Sequence, residues 1–535
     1  MIAMMRKYRL ISLSMIISYL SVSPVRAQYE VVPLPQSIEM QKGEPFVLNG
    51  DVQILAEEGL QREAAFLQAY LKDMKGQTLA IAQKREKKVS YIELAVSPKV
   101  TQPEGYVLSI NNKKGITIAG GSAAGVFYGI QTLRKAIAQK DTLPAVTITD
   151  APRFSWRGMH LDCSRHFFSV QFVKKFIDLL ALHQMNVFHW HLTDDQGWRI
   201  EIKKWPKLIT VGSQRSGTII GTNSDLDDET PHGGYYTQEQ CREIVAYAAE
   251  RHITVVPEID MPGHMLAALA SYPELGCTGG PYQVGHYWGV YKDVLCVGNP
   301  RVYEFVQDVL TEVMAIFPSE VIHIGGDETP TEKWGQCPKC QALNLPNDKI
   351  QAYFTKRVFD FLTAHHRRAL GWDEILDGCP QDAMIMSWRG SAPGAKAAAE
   401  GHDVVMSPTS HCYFDYQQWE ETAHEPSRCG GFIPVEKVYA LDPAPDNLSA
   451  GARSHILGAQ ANIWTEYIYT EGMVEYQALP RMSALAEVQW TQPERKDYEA
   501  FKQRLNGLIP LLELYHYRYA KHLWPERQLP SRWQF

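Results

Sequence analysis

The chain has 535 residues, too many for one hydrophobic core, so two or three domains are expected. Hydrophobic residues at 45% and charged residues at 21% exclude a disordered chain, a collagen-like repeat and a small disulfide scaffold as overall descriptions. The formal charge of −7, from 53 basic and 60 acidic residues, argues against holding polyanions by bulk electrostatics, so no nucleic-acid partner is expected.

At the start, Arg6, Lys7 and Arg9 precede an apolar stretch at 10–20, and Val25-Arg26-Ala27 supplies small residues at cleavage spacing. This predicts a signal peptide over residues 1–27 and an exported protein, periplasmic or secreted. The alternative, a membrane anchor, needs ~20 apolar residues and the stretch falls short. No later segment is apolar enough to span a membrane, so no span is expected in the mature chain. Removing Arg6, Lys7, Arg9 and Arg26 takes away bases and no acid, which strengthens the case against polyanions. Export would place the nine Cys in an oxidising compartment, with at least one unpaired. Cys337 and Cys340 form a lone C-x-x-C that reads as a zinc half-site, a redox pair or a local staple. The staple is favoured because no second C-x-x-C completes a zinc site. Cys277 and Cys296 are plausible partners across a Gly- and Tyr-rich loop.

Residues 28–150 alternate short strand-like runs (46–48, 52–55, 91–96, 106–110 and 115–119) with two amphipathic helices. Leu60, Ala64, Leu67, Leu71 and Met74 share one helix face, and Val126, Ile130, Leu133 and Ile137 share the other. This predicts a small α+β domain without a catalytic constellation. All 13 Trp lie at or after Trp156, so the chain changes character near Pro152. From there to 535, short apolar strands ending in polar residues alternate with loops and helical stretches. Strands are predicted at 158–161, 186–191, 254–259, 321–325, 369–372, 384–387, 404–407 and 456–461. The rhythm predicts an α/β fold, a (β/α)8 TIM barrel with long insertions. An open doubly wound sheet is the runner-up, weakened because no Gly-rich dinucleotide fingerprint follows any strand.

Barrel chemistry sits at the C-terminal ends of strands. Those ends carry Asp162 and Arg165; Asp194 and Asp195; Glu258, Asp260 and His264; and Asp327 and Glu328. Then come Trp372, Asp373 and Glu374; Trp388; Tyr413 and Asp415; and Trp464 and Glu466. Carboxylates among aromatic platforms suit sugar hydrolysis, where an acid protonates a glycosidic oxygen and rings stack on a pyranose face.

The runs Trp156-Arg157-Gly158-Met159-His160-Leu161-Asp162-Cys163-Ser164-Arg165, His191-Leu192-Thr193-Asp194-Asp195-Gln196-Gly197-Trp198, Pro257-Glu258-Ile259-Asp260-Met261-Pro262-Gly263-His264 and His323-Ile324-Gly325-Gly326-Asp327-Glu328 resemble the β-N-acetylhexosaminidases of glycoside hydrolase family 20. The resemblance continues through Gly371-Trp372-Asp373-Glu374, Ser387-Trp388 and Trp464-Thr465-Glu466, in family order, and extends to the preceding α+β domain. It implies a cofactor-free, retaining, substrate-assisted hydrolysis, in which the sugar's 2-acetamido oxygen attacks its own anomeric carbon. The implied partners are oligosaccharides or glycoconjugates ending in an N-acetylhexosamine.

By that resemblance Glu328 is the acid and then the base, and Asp327 orients the acetamide N–H. Arg165 grips ring hydroxyls, with an ion pair to Asp162 as the structural alternative. Tyr413 binds the acetamide carbonyl, while Asp415 and Glu466 accept from outer hydroxyls. Trp372, Trp388 and Trp464 wall the acetamide pocket, with Trp464 also beneath the ring. Asp260 and His264 are expected to relay orientation to Glu328, and no metal is expected. Adjacent strand residues face opposite sides, so Asp327 and Glu328 can meet one substrate only if the strand has ended by about Gly326.

Three rivals remain. A disaccharide-releasing family variant would need a roomier closed end. A metal-dependent barrel hydrolase could use His189 and His191, with His160, His264 or His323 recruited. A non-catalytic sugar binder would have lost the acid, which retention of Asp327 and Glu328 opposes. Natural substrate would depend on loops such as 222–236 and 276–295.

Overall fold

The computed structural model describes residues 29–113, 115–221, 224, 226–421, 425 and 430–527. The expected signal peptide at 1–27 lies outside the described residues, as does Cys429.

A seven-stranded mixed sheet comes first. Its strands, in spatial order, are Ser37–Met40, Val146–Asp150, Tyr106–Asn111, Gly115–Gly120, Tyr91–Val96, Gln53–Ala56 and Ile81–Ala82. The first two and the last are absent from the sequence-based expectation, although Val-Thr-Ile-Thr alternates as a half-buried strand should. Two helices pack on this sheet, α1 (Gln61–Lys75) and α2 (Ala123–Gln139). Helix α1 stops at Gly76, whose left-handed backbone (φ 67°) lets its N–H reach the Lys72 carbonyl.

Helix α2 is buried on both sides. Val126, Ile130, Leu133 and Ile137 face their own domain, but the polar residues opposite are covered too. Lys135 Nζ donates to Gln184 Oε1 (2.9 Å), and Arg134 lies 4.8 Å over the Tyr515 ring. Burial pushes the Lys135 ammonium well below its ordinary range. Arg157 grips Glu104 through two nitrogens (2.8 and 2.9 Å), and Trp490 Nε1 donates to Asp150 (3.0 Å). These contacts fix the small domain against the base of the larger one.

The larger domain is a closed barrel of eight parallel strands. They are β1 (Trp156–Asp162), β2 (Val187–His191), β3 (Thr254–Glu258), β4 (Val321–His323), β5 (Arg368–Trp372), β6 (Met384–Ser387), β7 (Val404–Met406) and β8 (Ile456–Ala461). Because β1 pairs with β8 as well as β2, no edge remains and the open-sheet alternative fails. The intervening helices begin on capping side chains: Ser169 Oγ accepts from Phe172 N–H (3.1 Å), and Thr237 forms a capping box with Gln240.

Strand β4 ends at His323, short of the expected 325, because Gly325 (φ 69°) and Gly326 (φ 96°) turn the chain. A Cβ on Gly325 would fall 1.6 Å from Asp260 Oδ1.

The barrel interior holds a polar hub. Glu258 lies 2.9 Å from His189, 2.6 Å from His191 and 3.1 Å from His323, and accepts from Trp372 Nε1 (2.9 Å). Burial alone would raise Glu258, but the three imidazoles hold it well below the usual carboxylate range. No helix among the described residues is long and apolar enough to cross a membrane.

Candidate active site

Every residue assigned from the sequence to catalysis or substrate contact, except Trp372, lines one cavity of about 130 Å³ at the C-terminal end of the barrel. His264 and Tyr416 complete its wall.

The turn after β4 brings the two central acids together. Past Gly326 the chain is irregular and Glu328 itself takes φ 43°, so Asp327 and Glu328 both reach the cavity instead of alternating across a strand. The Glu328 side chain is 43% exposed and that of Asp327 only 14%. Partial burial first, and the neighbouring Asp327 charge second, raise the Glu328 carboxyl above its ordinary value. Burial likewise raises Asp327, with His264 opposing. Asp327 Oδ1 is a buried acceptor without a hydrogen-bond partner among the described residues.

His264 stands over this pair, with Nε2 3.7 Å from both Asp327 and Glu328. Its Nδ1 faces Asp194 (3.2 Å) and Asp195 (3.1 Å). Burial would lower the imidazole, but Asp194 and Asp195 carry it well above its ordinary range, favouring its charged form in the cavity wall. Asp260 lies within 4.8 Å of His264 and Asp327, and His264 has further carboxylate partners. Asp260 accepts from the Gly326 N–H (3.1 Å), bracing the glycine turn, and the orienting carboxylates for His264 come from the end of β2.

Asp194 is the junction of the site. Burial opposes its charge, yet Arg165 and His264 hold the carboxyl below the usual range. Arg165 meets Asp194 (2.9 Å), Asp162 (3.2 Å) and Glu466 (3.7 Å), and donates to Gln196 Oε1 (3.1 Å). Its ion pair with Asp162 and its place in the cavity therefore coexist. Asp162 also accepts the N–H groups of Ser164 (2.7 Å) and Arg165 (3.1 Å), closing the turn that aims the guanidinium. Glu466 Oε2 is another buried acceptor without a hydrogen-bond partner among the described residues, and burial raises its carboxyl.

The aromatic wall is layered. Trp388 stacks on Tyr413 (centroids 6.1 Å, 23°), and Tyr413 tilts toward Trp464 (6.4 Å). Trp372 is 1% exposed and does not line the cavity, contrary to expectation. It lies beneath Trp464 (5.8 Å) with its N–H committed to Glu258, because β5 is still regular at that position and points it into the barrel. Burial pushes the Tyr413 phenol well above its ordinary value, so it remains a hydrogen-bond donor. Asp415 is 2% exposed.

Sequence reasoning left four residues without roles. Asp194 and Asp195 were visible as strand-end acids, but their partner His264 lies about 70 positions away. Glu374 accepts from Trp388 Nε1 (2.9 Å), and burial, then the Asp327 charge, raise it to about 7. Tyr416 carried no signal beyond its spacing from Tyr413. The rival pair His189 and His191 lies wholly buried below the cavity, and neither residue lines it. Their ring nitrogens already face Glu258, Asp194 or Gln460. A catalytic metal needs a coordination position open to substrate, and this cluster offers none.

Fold and site together define a closed parallel barrel with an adjacent Asp-Glu pair at its C-terminal face, set among tryptophans. Comparison with known proteins agrees. The profile of glycosyl hydrolase family 20, catalytic domain, matches residues 154–493, and that of glycosyl hydrolase family 20, domain 2, matches residues 28–151. The chain belongs to glycosyl hydrolase family 20. It is 45% identical over 433 residues to a beta-hexosaminidase of Porphyromonas gingivalis, covering 78% of this chain but 54% of that relative, about half its length. Among solved structures, an exo-β-N-acetylglucosaminidase of Vibrio harveyi in complex with N-acetylglucosamine superposes with a TM-score of 0.83 at 33% identity, covering 93% of this chain and 79% of that one. A β-N-acetylhexosaminidase of Streptomyces coelicolor gives 0.80 at 33%, covering 94% and 99%.

Proposed function

We propose that the protein is an exo-acting, retaining β-N-acetylhexosaminidase that releases terminal N-acetylglucosamine or N-acetylgalactosamine from glycans with help from the substrate's own acetamide. The observation that carries this reading is the buried, unpartnered Asp327 Oδ1 beside a Glu328 whose carboxyl is held above its ordinary value. One acid accepts a hydrogen bond and its neighbour supplies a proton.

In the first step Glu328 gives its proton to the glycosidic oxygen as that bond breaks. The acetamide oxygen supplies the electron pair that closes on the anomeric carbon, forming a cyclic oxazolinium. Asp327 accepts from the acetamide N–H and stabilises the positive charge gathering there, while Tyr413 donates to the acetamide oxygen and aligns it. Glu328, now a carboxylate, takes a proton from water as that water attacks the anomeric carbon and reopens the ring. Two displacements at one carbon retain configuration. Arg165 is braced by three carboxylates and suits a bidentate grip on ring hydroxyls; Asp415 and Glu466 supply acceptors further out. Trp388 and Trp464 flank the acetamide.

Replacing Glu328 by Gln tests the assignment. Substrates with poor leaving groups should slow by about 10²–10⁴ while activated aryl glycosides slow far less, because only the former need protonation. Equal losses would refute the acid role. A thiazoline mimic of the oxazolinium should inhibit much more strongly than N-acetylglucosamine, and parity would refute acetamide participation.

One observation favours the disaccharide-releasing variant. Glu466 also lines a neighbouring cavity of about 560 Å³ shared with His166, Tyr467 and Tyr469. Aryl glycosides of the two amino sugars, of their de-acetylated forms and of a disaccharide separate the readings: turnover confined to the disaccharide would overturn exo release of single sugars. The basic-then-apolar residues 6–27 support action outside the cytoplasm.

A further inference from the structure

The loops that follow β3 and β4 converge beside the active site and bring four cysteines into one group. Cys277 and Cys296 bracket the loop after β3, whose ends pair through a bridge between Gly276 and Leu295. Cys337 and Cys340 lie in the segment after β4, beyond Glu328, at the start of and within the short helix Pro338–Gln341. The staple and the separate Cys277–Cys296 pair expected from sequence give way to a single cluster, because two loops distant in the chain supply two thiols each.

The sulfur spacings are 3.9 Å for Cys277 to Cys340, 3.6 Å for Cys296 to Cys337 and 3.7 Å for Cys296 to Cys340. All four sulfurs lie within 4.8 Å of one another, and all four cysteines stand as free thiols. A tetrahedral zinc with Zn–S bonds of about 2.3 Å requires its sulfurs to stand about 3.8 Å apart. Disulfide partners would instead close to about 2.0 Å. Cys296, Cys337 and Cys340 are buried and Cys277 is partly so, leaving little room for water among the sulfurs. The Gly298 N–H approaches Cys340 Sγ at 3.5 Å, the kind of contact that steadies a coordinating thiolate.

We propose that Cys277, Cys296, Cys337 and Cys340 bind one thiophilic divalent metal ion of the zinc class, in a closed four-sulfur site that clamps the β3 and β4 loops together. The four thiols lose their protons on binding, and four thiolates leave no open position, so the ion is structural. What it holds is close to the chemistry. Trp334 Nε1, between Glu328 and Cys337, donates to the Leu295 carbonyl (2.9 Å), and Leu295 N–H donates to Pro262 (3.0 Å), two residues before His264. The same Cys277–Cys296 loop sends the Gly285 N–H to the Asp195 carbonyl (2.9 Å) and accepts from Gln196 at Tyr287 (2.8 Å). The clamp therefore joins the segments bearing His264 and Glu328 and steadies the loop resting on the Asp194-Asp195 turn.

The test is metal analysis of the full-length protein purified without chelator. About one zinc per chain is expected, with a native mass higher by one zinc and a denatured mass showing the four cysteines reduced. A metal-free protein whose mass is lowered by the hydrogens lost to two disulfides would overturn the proposal. Cys337→Ser should lose the zinc and unfold at lower temperature, while Cys163→Ser and Cys412→Ser should keep it. Zinc retained in both Cys337→Ser and Cys296→Ser would overturn the site. Should those variants not fold, an organomercurial added to the wild-type protein with a zinc-sensitive dye should release zinc in step with titration of these thiols, and no release would count against the clamp. Growth on cobalt should add intense sulfur-to-metal charge-transfer absorption, a signature that a merely packed thiol cluster cannot produce.

Discussion

Asp194→Asn removes one charge from a buried carboxylate that has four partners. One Asp194 oxygen takes Arg165 (2.9 Å) and His191 (2.8 Å); the other takes His264 (3.2 Å) and the Asp195 N–H (2.7 Å). An asparagine has one accepting oxygen, so whichever way the amide turns, its NH₂ faces donors. Uncompensated removal of one partner from a buried ion pair costs about 3–5 kcal/mol. Here Arg165 keeps Asp162 and Glu466, and His264 keeps Asp195, so the expected loss is about 2–3 kcal/mol. Urea unfolding at neutral pH, followed by tryptophan fluorescence, measures it. A second consequence concerns the pH profile. His264 is held above its ordinary range chiefly by Asp194 once burial is overcome, so the variant's imidazolium should deprotonate at lower pH. Asp194 also helps raise Glu328, the acid whose deprotonation sets the alkaline limb of kcat/KM, so that limb should move toward acid, and kcat should fall. An unchanged unfolding midpoint together with an unchanged alkaline limb would refute Asp194 as the electrostatic junction.

Three further outcomes can be checked. Asp327→Asn should lower kcat on both activated and unactivated substrates and, by removing a neighbouring negative charge, lower the Glu328 pKa, shifting the alkaline limb of kcat/KM toward acid; an unaltered kcat would remove its role. Glu374 is raised to about 7, so its neutral form stabilises the fold below the ordinary carboxylate range and that contribution is lost as pH rises through about 7. Glu374→Gln keeps an acceptor for Trp388 and should flatten the fall in stability between about pH 4.5 and pH 7, worth up to about 3 kcal/mol; thermal unfolding curves parallel to wild type would refute the shift. Gly325→Ala places a methyl 1.6 Å from Asp260 Oδ1 at φ 69°, so a loss of about 3 kcal/mol or more with collapse of activity is expected, and a stable, active variant would show that the turn yields.

Much of this was legible in one dimension. Each barrel strand is a short, largely apolar run with polar or aromatic residues at or after its C-terminal end, and local patterning suffices to find such runs because strand burial and strand-end function both act on nearby residues. The Asp327-Glu328 pair, Arg165, Trp388, Tyr413 and Trp464 stand at or after those strand ends, the family resemblance implied their roles, and all line one cavity. The burial of Lys135 on α2 did not follow, since a helix gives no sign of a second partner domain until that domain covers it.

The sequence by itself determined the inventory: eight strands in order, the acids and rings at their ends, and a glycine pair able to turn the chain before two adjacent carboxylates. Tertiary structure decided the partnerships. It set His264 on Asp194 and Asp195, gave Asp260 to the Gly326 N–H, sank Trp372 beneath Trp464, and gathered two cysteines from each of two loops into one cluster. Periodicity reports which face a residue takes within its own element. Closure of the barrel sets which distant loop arrives beside it, and with it the charge that tunes each acid.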